Sequence, residues 1–162
     1  MSQHEQQPTT TTPGPPKKLY VRAVTPGLRK LLWVVFVLVA LLSANAAYLS
    51  AITGMQWITG EVYQTHFYFL MLLGHIVVGL LLVVPLLVFG GLHIRNAHNR
   101  RNRRAVRVGY VLFAVSIAVL VTGFALVRVE NVIDLKHPLG RNVVYWLHVA
   151  LPVIAGWLYW LH

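Results

Sequence analysis

The sequence predicts an all-α integral membrane protein: four helices crossing up-down-up-down as a bundle, behind a disordered N-terminal tail. Three observations point there. The 162-residue chain is 57% hydrophobic and only 11% charged, with a positive mean hydropathy, the composition of membrane-embedded chain. Long apolar runs occupy about Leu31 to Ile52, His66 to Leu92, Val108 to Val127 and Val143 to His162. Basic residues gather on one side of these runs and are sparse on the other.

Residues 1–30 open with MSQHEQQPTTTTPGPPKK. This Pro/Thr/Gln stretch is too polar to pack and reads as a disordered tail. It closes in a basic collar of Lys17, Lys18, Arg22, Arg29 and Lys30. Residues 31–162 then form one transmembrane domain. Each run approaches or exceeds the ~20 residues that a helix needs to cross ~30 Å of hydrocarbon. Lipid offers no partner for backbone N–H and C=O groups, so these segments are helices and not strands. The collar, the first apolar run and Ala44-Asn45-Ala46 also resemble a cleavable signal. The run continues past that site, which favours a span. The chain stops on His162 directly after an apolar run, and we expect it to be part of a longer protein.

The connections set the orientation. RNAHNRRNRRAVR, between the second and third runs, carries Arg95, Arg100, Arg101, Arg103, Arg104 and Arg107. Together with the collar, eleven of the 14 basic residues fall on one side. The other side holds Arg128, Lys136 and Arg141, balanced by Glu61, Glu130 and Asp134. The positive-inside rule places both termini in the cytoplasm. The net charge of +10 is therefore topological, and nucleic acid is not an expected partner. Tyr63, Tyr68, Tyr145 and Trp146 form an outer aromatic belt, and Trp157, Tyr159 and Trp160 approach the inner one.

Within the spans the histidines carry the chemistry. His148 and His162 are fourteen residues apart. At 100° and 1.5 Å per residue they share a face, about 21 Å apart. His75 and His93 are eighteen apart, five full turns and about 27 Å. The second and fourth spans run in the same direction, so His75 pairs with His148 in the outer leaflet and His93 with His162 near the inner surface. The unequal spacings leave about 6 Å of axial mismatch. Pro85, Pro152, Gly90-Gly91 and tilt are the features that would absorb it.

Opposed imidazoles at each of two depths suit two six-coordinate haems, with His75, His148, His93 and His162 as axial ligands to iron. The plainer alternative is four unrelated histidines bonding between helices, which leaves the matched faces as coincidence. The chain has no cysteine, which excludes disulfides, iron–sulfur clusters and covalent haem, so any haem is b-type.

Weaker signals surround these four. Gly109 and Gly123 repeat the fourteen-residue spacing in the third span and would admit a porphyrin edge, although small residues also serve ordinary helix packing. The same holds for Gly79 and for the Ala40, Ala44 and Ala47 stripe. Arg128 and Arg141 flank the outer site and Arg95 with Arg29 or Lys30 the inner one, as propionate partners or simply as headgroup contacts. His66 faces away from His75, near Glu61; it reads as an interfacial histidine or as part of a quinone/quinol site. His98 is the fallback inner ligand. His137 and His4 receive no role.

The stretches HFYFLMLLGHIVVGLLLVVPLLVFGGLH and WLHVALPVIAGWLYWLH resemble the dihaem four-helix core of the membrane cytochromes b. The hydrogenase, formate-dehydrogenase and prokaryotic b561 types share a His-x13-His fourth helix. The resemblance covers roughly residues 31–162. It implies two stacked haem b groups and electron transfer in a bacterial-type inner membrane. It also implies a quinone or quinol at one face and, at the other, a redox partner such as a c-type cytochrome or another redox subunit. This chain departs from the b561 types in having no histidine in its first span. It departs from the cytochrome b of the bc complexes in its eighteen-residue spacing. Whether it is an electron-transfer cytochrome or the membrane subunit of a quinone-linked oxidoreductase stays open. A histidine-lined metal or proton transporter is a rival, though the spans hold no carboxylate. A structural subunit of a respiratory complex is another.

Overall fold

The computed structural model describes residues 25–98, 102–127 and 138–162. The tail through residue 24, part of the basic loop, and Arg128, Glu130, Asp134, Lys136 and His137 lie outside them. The described residues form an all-α four-helix bundle: α1 Pro26–Thr59, α2 His66–Ala97, α3 Arg103–Leu126 and α4 Pro138–Leu161. All four are long and apolar enough to cross a membrane. Even the shorter pair, 24 residues each, reaches about 36 Å at the helical rise.

All four helices run past the predicted apolar runs at one end or both, because local chemistry sets their ends. α1 starts at Pro26, whose missing N–H is harmless at a first position. Thr25 caps it, accepting from the Leu28 N–H at 3.3 Å. Arg29 and Lys30 therefore belong to the helix and not to the tail. α1 continues to Thr59 and stops at Gly60, which takes φ 73°, a left-handed conformation that favours glycine. Thr65 caps α2 at 3.4 Å through the Tyr68 N–H, and Asn102 caps α3 at 3.2 Å through the Ala105 N–H. α4 begins at Pro138, five residues before Val143. A cap or an N-terminal proline overrides hydropathy at these boundaries.

The helices pack around a ring. α1 lies on α2, α2 on α3 and α3 on α4. Aromatic pairs close the ring between α1 and α4: Phe36 with Tyr159 at 5.6 Å and Trp57 with Trp146 at 5.5 Å between ring centroids. α2 and α4 thus stand on a diagonal, and no Cα of one comes within 8 Å of a Cα of the other. Gly90 brings α2 against α3, since a Cβ there would overlap the Phe113 ring. Asn45 ties α1 to α2 by donating from Nδ2 to the Met71 carbonyl at 2.9 Å. Among the described residues the buried side chains are Leu28, Val35 and Leu82, and none of them is fully enclosed. The outward faces are mostly apolar, with Leu81, Val84, Val153 and Trp160 all more than half exposed. Such a surface suits lipid, and the protein is a multi-pass membrane protein.

Candidate histidine site on the bundle diagonal

Across the diagonal, imidazoles of α2 and α4 approach each other in two pairs. The His75 and His148 ring centroids lie 6.2 Å apart at 86°. Those of His93 and His162 lie 6.0 Å apart at 79°. The structure thus joins the residues that the helical phases pair. Eighteen and fourteen residues reach nearly equal separations, so the axial mismatch does not open the inner pair. α2 carries Pro85 between its two histidines, where one intrahelical hydrogen bond is missing.

α3 holds both α4 imidazoles in the same way. A Cβ on Gly123 would meet His148 at 2.9 Å from Cε1, 3.4 Å from Nδ1 and 3.7 Å from Nε2. A Cβ on Gly109 would meet His162 at the same three distances. One turn before each glycine, a backbone carbonyl faces the ring. His148 Nδ1 lies 3.2 Å from Val119 O, and His162 Nδ1 lies 3.1 Å from Ala105 O. A carbonyl only accepts, so Nδ1 donates its hydrogen in both rings and Nε2 keeps its lone pair. This is how proteins orient an imidazole that binds metal through its other nitrogen.

The remaining sequence candidates separate. Arg141 precedes His148 by seven residues and so shares its face of α4, while Arg128 lies outside the described residues. His66, the first residue of α2, is exposed, as is Glu61, and no hydrogen bond or ion pair joins the two. α2 ends at Ala97 and His98 is its cap residue, donating its backbone N–H to Ile94 O at 2.9 Å. The imidazole opposite His162 is that of His93. Phe89 stacks on it, with centroids 5.4 Å apart and planes 10° from parallel.

Asn45 and Thr122 are the residues that sequence reasoning passed over. Both are polar groups inside apolar spans, and that alone marks them. Asn45 Oδ1 is buried without a hydrogen-bond partner. It lines a cavity of about 460 Å³ between α1 and α2 that also reaches Tyr48, Gly74 and His75.

These residues fit a metal held between two imidazoles. Bonds of about 2.0 Å from each nitrogen to a shared metal set ring centroids roughly 6 Å apart. Simple edge-to-face packing falls in the same range, so the distance alone does not separate the two. Three further features favour ligation: the duplicated glycine–carbonyl seats, the backbone gap across the diagonal, and His75 Nδ1, which is buried without a hydrogen-bond partner. Among the described residues no group of three or more His, Cys, Asp or Glu side chains converges. No protein-family model, curated protein or solved structure matches this chain.

Proposed function

We propose that this protein is a transmembrane electron conduit holding two b-type haems, each between one imidazole of α2 and one of α4. The observation that carries the reading is the duplicated seat: the same glycine, carbonyl and histidine arrangement occurs twice, fourteen residues apart on both α3 and α4. Ordinary packing has no need to repeat a contact at two depths, whereas two cofactors in series do.

When bound, haem b supplies reversible one-electron chemistry. The chain supplies the rest. His75 and His148 would ligate the outer group, His93 and His162 the inner one. Val119 O and Ala105 O hold Nδ1–H, which leaves the Nε2 lone pair of each α4 ring for a ligand bond. Gly123 and Gly109 leave room for those rings. Arg141 offers a cation for an outer propionate, and the lipid-facing surface keeps bulk water out. In this reading the conduit exchanges electrons with membrane quinone or quinol at one face. At the other it meets a redox partner, such as a c-type cytochrome or another redox subunit. Both termini face the cytoplasm across a bacterial-type inner membrane.

The deciding experiment is a visible spectrum of protein purified from haem-replete cells. We expect a b-type α band in the reduced-minus-oxidised difference, two haems per chain, and complete extraction by acid acetone. A colourless protein would overturn the reading.

A further inference from the structure

The two seats on α3 differ at one position. The residue before Gly123 is Thr122, and the residue before Gly109 is Val108. At the inner seat, His162 Nδ1 faces Ala105 O alone. At the outer seat, His148 Nδ1 lies 3.2 Å from Val119 O and 3.2 Å from Thr122 Oγ1.

The direction of that second bond follows from counting hydrogens. The Thr122 hydroxyl has a single hydrogen, and its oxygen lies 2.8 Å from Ala118 O and 3.0 Å from Val119 O on its own helix. Both are acceptors, so the hydrogen is used within α3. Toward the imidazole the hydroxyl can only accept. His148 Nδ1–H is thus shared between two oxygens, while His162 Nδ1–H has one.

We propose that Thr122 is a positioning residue that makes the outer seat chemically distinct from the inner one. It locks His148 in the Nδ1–H form and makes its Nε2 a stronger electron donor. The tautomer part rests on the geometry of α3 and α4 alone. The electronic part rests on the haem reading given above: a more electron-rich nitrogen ligand would favour the oxidised metal and so lower the potential of that site.

The first measurement uses the full chain without haem, labelled with ¹⁵N-histidine, at a pH where the imidazoles are neutral. The Nδ1–H to Nε2–H ratio should be higher at His148 than at His162 by a factor of about five, the size carried by one net hydrogen bond. Thr122→Val, which replaces the hydroxyl by a methyl group of similar size, should erase the difference. Thr122→Ser should restore it, and Val108→Thr should confer it on His162. An unchanged His148 ratio in Thr122→Val overturns the proposal.

The second measurement is a redox titration of the haem-loaded chain. Thr122→Val should move one of two one-electron steps to a more positive potential and leave the other in place, with Thr122→Ser close to wild type. No shift, or equal shifts of both steps, overturns the electronic part. If the tautomer ratios behave as expected and the chain takes up no haem, the conduit reading falls. Thr122 then still stands as the group that sets the His148 tautomer.

Discussion

Gly123 and Gly109 decide how near the α4 imidazoles come to α3. A methyl group at either position would press on Cε1 at 2.9 Å, closer than carbon atoms pack. Overfilling of this kind costs about 1–3 kcal/mol, whereas alanine in place of helical glycine returns about 0.5–1 kcal/mol. The clash wins, so Gly123→Ala and Gly109→Ala should each be destabilised by roughly 1 kcal/mol and should each lose one haem in a pyridine haemochrome assay. Gly79 is the control, because a Cβ there meets nothing within 4 Å. Gly79→Ala should keep both haems and match or exceed wild-type stability. The ligands divide by pair. His75→Ala and His148→Ala should remove the same haem, and His93→Ala and His162→Ala the other, as read by the low-spin ferric EPR signals. His66→Ala should keep both, since its exposed side chain begins α2. If His66→Ala loses a haem and His75→Ala does not, the outer ligand is wrong.

Between α2 and α3 the close approach runs through Gly90 and Phe113. The Phe113 ring occupies the space that a Cβ on residue 90 would take. Gly90→Ala should therefore push the helices apart, at a cost of about 1–3 kcal/mol. Phe113→Leu in the same chain should recover a good part of that loss. Unfolding of the two single variants and the double variant in detergent gives the coupling, and simple additivity would show that the two residues do not compete for one space. Asn45 acts between α1 and α2. Its Nδ2 bond to Met71 O is made, yet its Oδ1 is buried and unpaired. A bond between membrane helices is worth about 0.6 kcal/mol on average, and an unpaired buried acceptor costs more than that. Asn45 is thus a weak fastener, and packing does most of the work in holding the hairpin.

Across the whole molecule, charge and hydropathy determine how the bundle lies in the bilayer. Eleven basic residues flank one side of the spans and three the other, so the basic segment from Arg95 to Arg107, which joins α2 to α3, should be cytoplasmic. The chain has no cysteine, which makes single introduced cysteines unambiguous reporters. In intact cells an impermeant thiol reagent should label a cysteine placed near Glu61 and spare one placed near Arg104. The reverse pattern would invert the topology. At this scale the ring α1–α2–α3–α4 leaves α2 and α4 facing each other with their backbones apart. That arrangement lets two imidazole pairs stand in series along the membrane normal.

The sequence by itself determined the class of fold, the count of spans and the pairing of the histidines. Each depends on a quantity that primary structure carries directly: length against bilayer thickness, and helical phase between His148 and His162 or His75 and His93. Helix ends were less legible. Thr25 with Pro26 extends α1, and Pro138 starts α4 early, by cap and backbone chemistry that hydropathy does not register. Only the tertiary structure decided what stands behind the α4 histidines. Gly109 and Gly123 show their spacing in sequence, but a spacing on one helix does not say which ring on another it receives. Backbone carbonyls such as Val119 O and Ala105 O carry no sequence signature, because every residue has one. Thr122 becomes distinct from any other membrane threonine only when α4 brings Nδ1 of His148 within 3.2 Å of it. Contacts between helices depend on rotation and axial offset, and those are set when the helices pack.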